Sequence, residues 1–93
     1  MKTTAALNLI EGQFATDEAK EILMNIFLTK IQFHEMRNFS SQERLGKDDE
    51  VAVKRIPALK KSLAQLEDIL EEAKTKNKIL KINADIHISF VEA

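Results

Sequence analysis

Between Ala52 and Ala73 seven apolar residues recur at intervals of 4-3-4-3-4-3: Ala52, Ile56, Leu59, Leu63, Leu66, Leu70 and Ala73. That is an a/d seam three heptads long, and it restricts the fold more than any other feature. A helix with such a seam must lay it against another helix. Asp48 and Asp49 stand where a cap is needed, so this second helix is expected from there to about Asn77. Lys74, Lys76 and Lys78 suit the negative end of its dipole, and Asn77 can take the left-handed cap conformation. Pro57 lies inside the seam. It removes a backbone donor and disfavours helix at Ile56, which predicts a kink or a late helix start near residue 57.

The partner helix is expected over residues 17–38. Thr16 can cap it, and Asp17 and Glu18 complement its positive end. Its polar stripe of Glu18, Glu21, Asn25, Thr29 and Gln32 spans about 80° at 100° per residue. Ala19, Ile22, Leu23, Met24, Ile26, Phe27, Leu28, Ile31 and Phe33 fill an arc of about 240° in its middle turns, against the ~100° of an ordinary surface helix. One neighbouring helix cannot cover such an arc. The stretch from Asn38 to Asp49 is polar and reads as a connection. Ser40 and Glu43 have capping-box spacing, which predicts one extra helical turn ending at Gly46.

Strands flank the hairpin. Residues 79–91 alternate strictly, with Leu80, Ile82, Ala84, Ile86, Ile88 and Phe90 on one face and Lys81, Asn83, Asp85, His87 and Ser89 on the other. The apolar face is expected to pack on the helices, leaving the polar face to water or a symmetry mate. Residues 5–14 form a less regular strand. Leu7 and Leu9 share one side and Ile10 and Phe14 the other, which predicts burial on both faces or a bulge near Gly12.

The order is therefore β-α-α-β, an α+β class with a long helical hairpin and an antiparallel two-stranded sheet. The length of 93 residues fits a single domain over 1–93. A two-stranded ribbon is marginal alone, and a chain this short buries a modest share of its surface. Together with the apolar arc of the first helix, these facts predict a homodimer, joined by sheet edges or as a helix bundle. Its expected interface residues are Leu23, Phe27 and Ile31 on the first helix and Leu63, Leu66 and Leu70 on the second. The Leu/Ile seam could also dock a partner helix, but core packing and self-association come first.

Composition removes several function classes. With no cysteine, thiolate metal sites, thiol catalysis and disulfides are excluded. Fifteen acids against fourteen bases leave a net charge of −1, so no global field draws in nucleic acid or anionic lipid. Asn8 and Glu11 cut short the apolar run at the N-terminus, and no other uninterrupted apolar run exceeds three residues. Spanning a membrane takes ~20, so a soluble cytoplasmic protein is expected.

Four constellations invite a chemical reading. Asp85, His87 and Ser89 come in acid-base-nucleophile order, but neighbours on one strand face stand ~6.5–7 Å apart, beyond the ~3 Å of a working triad. His34-Glu35 opens like a zinc-protease motif, yet Asn38 occupies the second ligand position, so a structural or dipole-facing histidine is expected. Glu67, Asp68, Glu71 and Glu72 form an acidic patch without a complementary cluster elsewhere, and Glu72 to Lys76 is a helix-supporting pair. Lys74, Lys76, Lys78 and Lys81, with Lys60 and Lys61, are the one basic cluster, and no aromatic residue is interleaved in it. The three arginines, Arg37, Arg44 and Arg55, lie apart from it.

No catalytic residue and no cofactor is implied. The expected function is a non-enzymatic interaction or structural module acting as a homodimer, with another protein as a further partner. The alternatives are a nucleic-acid-associated regulator and, behind it, an enzyme whose chemistry the sequence does not display.

Overall fold

The two ends of the chain pair with each other. The computed structural model describes residues 3–93, with side chains from Ala5 onward. Strand β1 (Thr3–Phe14) leads through one residue into helix α1 (Thr16–Leu45), which turns into helix α2 (Glu50–Thr75) and then strand β2 (Leu80–Ser89). β1 and β2 form a two-stranded antiparallel sheet, which gives the β-α-α-β, α+β architecture that the sequence predicts.

The register explains the irregular first strand. Phe14 faces Leu80, Gly12 faces Ile82 and Ile10 faces Ala84. Asn8 then faces Asp85 and Leu7 faces Ile86, so Leu9 is an extra residue, a β-bulge. The bulge inverts the alternation of β1. Ala5 and Leu7 before it join Ile10, Gly12 and Phe14 after it on the apolar face of the sheet. The bulge expected near Gly12 thus lies at Leu9, and Gly12 is paired in the ordinary way. A second register shift lies between Thr3 and Ala5.

Helix α1 departs from expectation at both ends. Ala15, not Thr16, is its N-cap. The Glu18 carboxylate accepts the Ala15 N–H at 3.0 Å, and the Ala15 carbonyl accepts from Ala19 N at 2.9 Å. With a single residue linking strand to helix, Thr16 is drawn into the first turn. At the other end α1 runs unbroken through the stretch expected to be a connection, and only its stop at Gly46 follows the sequence reading. Gly46 is left-handed (φ 68°) and its N–H closes on the Gln42 carbonyl at 3.0 Å.

The reason lies in the face that α1 turns toward α2. That stripe runs Ala19, Leu23, Phe27, Ile31, His34, Asn38 and Ser41, all buried or half-buried. It is apolar near the sheet and polar near the turn. The polar members hold the turn: Asn38 Oδ1 accepts from Asp49 N at 2.8 Å, and Ser41 Oγ donates to the Lys47 carbonyl at 2.8 Å. Beside them, Gln42 Nε2 donates to Asp48 at 2.7 Å.

Helix α2 follows its seam. Ala52, Leu59, Leu66, Leu70 and Ala73 are buried and Ile56 and Leu63 half-buried. Asp49 caps it by accepting from Ala52 N at 2.9 Å, so the helix begins at Glu50 and passes through Pro57 rather than starting there. Beyond its last turn Asn77 is left-handed (φ 55°). Lys78 N reaches the Ala73 carbonyl at 2.8 Å and Asn77 N the Lys74 carbonyl at 3.2 Å, a complete Schellman ending.

The core sits where sheet and helices meet. Ala19, Leu66 and Leu70 form its buried centre, with Phe14, Leu23, Met24, Phe27, Leu63, Leu80 and Ile82 against it. Cover fades along the sheet: Ile10 is buried and Leu80, Ile82 and Ala84 are half-buried, but Leu7 is 51% exposed and Ile86 40%. The apolar face of β2 was expected to pack on the hairpin along its whole length. It does so over the first half only, and Phe90 lies outside the strand and exposed. The result is an elongated molecule with a radius of gyration of 16.6 Å. A compact chain of this length would have about 12 Å.

Candidate functional site

The polar face of the ribbon is organised around Asn8. The bulge at Leu9 places Asn8 opposite Asp85, and its Nδ2 donates to Asp85 Oδ1 at 2.8 Å and to Asn83 Oδ1 at 3.1 Å. His87 lies opposite Ala6 and Ser89 opposite Thr3. Asp85, His87 and Ser89 therefore share one exposed face, spaced along a single strand. The side chain that engages Asp85 is Asn8, a residue the sequence reading treated only as an interruption of an apolar run.

His34 is buried, at 5% exposure, on the side of α1 that faces α2. Neither ring nitrogen has a hydrogen-bond partner, and the ring meets Phe33 edge-on with centroids 5.4 Å apart. Since α1 continues to Leu45, His34 sits mid-helix, remote from the dipole end assigned to it from sequence. Its role is packing. The acidic residues Glu67, Asp68, Glu71 and Glu72 are exposed on α2, and Glu72 pairs with Lys76 at 2.7 Å as the spacing predicts. Among the described residues no three His, Asp or Glu side chains converge as a metal site would require. Lys60, Lys61, Lys74, Lys78 and Lys81 are exposed.

The six expected interface residues occupy the hairpin's own interior. Leu66 and Leu70 lie at the centre of the core, Leu23, Phe27 and Leu63 pack against it, and Ile31 is buried. The seam of α2 is thus engaged with α1 of the same chain.

Among the described residues, two further apolar surfaces beside the core stay open. One is the outer half of the ribbon, where Leu7, Leu9 and Ile86 are exposed. The other is a flank of α1, a shallow groove lined by Asn25, Ile26, Thr29, Lys30 and Phe33. Lys30 Nζ lies 5.1 Å and the Arg37 guanidinium 5.5 Å from the centroid of the Phe33 ring. Such cation–π contacts shield an exposed aromatic face without burying it. The groove lies at one edge of the wide apolar arc of α1, where Ile26 and Phe33 adjoin Asn25 and Thr29 of the polar stripe; exposed Leu28 lies at the other edge. The arc was visible in the sequence; which part of it would remain open was not.

In area the effect is large. The chain exposes 7574 Å². A compact monomer of 10.6 kDa would expose about 5,500 Å², so the excess is about 2,000 Å².

No protein-family model matches the chain, and no curated protein or solved structure shows significant similarity to it. Among the described residues, no helix is long and apolar enough to cross a membrane.

Proposed function

We propose that this chain is a non-enzymatic interaction module that works as a homodimer. The observation that carries the reading is the exposed area, 7574 Å² in a chain of this size. The excess of about 2,000 Å² over a compact monomer falls within what each partner of an obligate dimer hides, about 1,000–2,500 Å². Much of it is apolar: Leu7, Leu9 and Ile86 on the ribbon, Ile26, Leu28 and Phe33 on α1. In this reading one uncovered surface joins two copies and the α1 groove receives another protein. The pairing of apolar Ile26 and Phe33 with cationic Lys30 and Arg37 suits an amphipathic segment with acidic residues at its margin.

Light scattering at micromolar concentration, combined with capture of bound proteins from the native host, tests the reading. A mass of twice 10.6 kDa and a protein whose capture is lost on Phe33→Glu support it. A monomer that unfolds cooperatively and captures nothing overturns it. A tight, sequence-dependent shift of duplex DNA at ~150 mM salt would replace it with the regulator.

A further inference from the structure

We infer that two copies join along β2, in one register, to make a continuous four-stranded antiparallel sheet; this rests on the homodimer reading above. Among the described residues β2 pairs with β1 on one side only, so over residues 80–86 its other edge is open to a further strand. The edge of β1 is broken by register shifts at two places, whereas β2 is the strand without an inserted residue. A regular ladder between copies is therefore available on β2.

Charge selects the register. When two identical strands pair antiparallel about a two-fold axis, the residue on the axis faces itself and residues equally far to either side face each other. With the axis at Asn83, Lys81 faces the partner's Asp85, and Asp85 faces the partner's Lys81. Moving the axis to Ala84 or Ile82 leaves both charges without an opposite partner, and moving it to Asp85 sets two carboxylates face to face. Lys81 is exposed, and among the described residues no carboxylate lies within ion-pair distance of it. Asp85 is held in place by Asn8, which occupies Oδ1 and leaves Oδ2 for a second donor. Cross-strand pairs of this kind are the unit of sheet stabilisation.

The same register treats the exposed apolar face. Ile86 comes opposite the partner's Leu80, and Ile82 opposite the partner's Ala84. Leu80 and Ile82 lie at the covered base of the sheet, against the core. A two-fold axis perpendicular to the sheet keeps both hairpins on its apolar side. The uncovered outer half of each ribbon then lies beside the covered half of the other, at the foot of the partner's hairpin. The free edge selects the strand, charge selects the axis at Asn83, and the apolar fit agrees with that axis.

Charge reversal tests this in full-length chains. Lys81→Asp puts an acid opposite Asp85 at both ends of the interface, and Asp85→Lys puts a base opposite Lys81. Each variant alone is expected to dissociate at least about tenfold more readily than the unaltered chain, and an equimolar mixture is expected to form heterodimers. The absence of native cysteine makes thiol trapping clean: Asn83→Cys should yield a disulfide-linked dimer under mild oxidation. Glu11→Cys should not, because it would stand three strands, about 14 Å, from its symmetry mate. Retained helical circular dichroism verifies that each variant folds. If the unaltered chain dimerises but the charge variants dissociate no more readily and Asn83→Cys does not crosslink, the β2 register is wrong and the homodimer reading stands. If the unaltered chain is a monomer at ~100 μM, a concentration far above what an obligate interface needs, both fall.

Discussion

Replacing His34 with leucine should stabilise the protein. His34 is 5% exposed and both ring nitrogens lack partners. Leaving a buried polar group unsatisfied costs ~1–3 kcal/mol, and leucine removes both such groups at similar volume. Against this, the substitution forfeits the edge-on contact with Phe33, worth ~0.5–1.5 kcal/mol. The net expectation is a gain of ~1–2 kcal/mol. For a domain of 60–100 residues each kcal/mol moves the melting midpoint by about 4–8 °C. Urea melts at fixed protein concentration give the free energy, and fixing the concentration matters because dimerisation adds to apparent stability. His34→Ala is the control: it removes the same polar atoms but leaves a cavity, and should destabilise by ~1–3 kcal/mol. A His34→Leu protein less stable than the unaltered chain would refute the reasoning. It would mean that the imidazole holds a hydrogen bond in solution, and that His34 contributes through polarity rather than bulk.

Three further expectations concern the hairpin and the ribbon. Leu66→Ala should cost ~2–5 kcal/mol in denaturant melts, whereas exposed Lys60→Ala should stay within ~0.5 kcal/mol; equal effects would mean that the seam of α2 faces elsewhere. Pro57→Ala should raise stability by ~1–3 kcal/mol, because it restores a backbone donor inside a helix that already runs through this position; a loss would show that α2 is accommodated to the proline. Ile86→Asp should leave the helical signal of circular dichroism intact while lowering the mass seen in light scattering, since this side chain is outside the chain's own core; an unfolded variant would place Ile86 in that core after all.

The parts of the fold legible in the sequence are those where one periodicity serves one surface. The seam from Ala52 to Ala73 lies on one continuous surface, made by α1 and the base of the sheet, and it stays apolar from end to end. The alternation of β2 separates one apolar face, set against the hairpin at its base, from one exposed polar face, and Asn77 closes the helix before it with the conformation its side chain tolerates. Legibility fails where a residue serves two purposes. Asn38 and Ser41 lie in the helical stripe of α1 and also hold the turn, so their polarity reads as a loop. Leu9 is an extra residue in a strand, so the apolar residues on its two sides fall out of phase. The open surface was legible as an excess, in the wide arc of α1, but not as a place. Sequence periodicity tells how much of a helix is apolar, not which part its single neighbour will cover. The same limit hid the outer half of the ribbon, because alternation in β2 continues past the point where the hairpin ends.

The bulge at Leu9 also bears on how the chain tolerates changes in length. Asn8 and Ile10 face Asp85 and Ala84, which are adjacent on β2, so Leu9 has no counterpart across the ladder. Deleting Leu9 leaves these cross-strand partners matched and turns this part of β1 into a regular strand with less local twist. Deleting Asn8 or Ile10 has the same effect on the backbone, with Leu9 taking the vacated place opposite Asp85 or Ala84, so that only the side chain at that place changes. This part of β1 thus carries one residue more than its pairing needs. A change of length at this point alters the curvature of the ribbon and leaves its pairing intact.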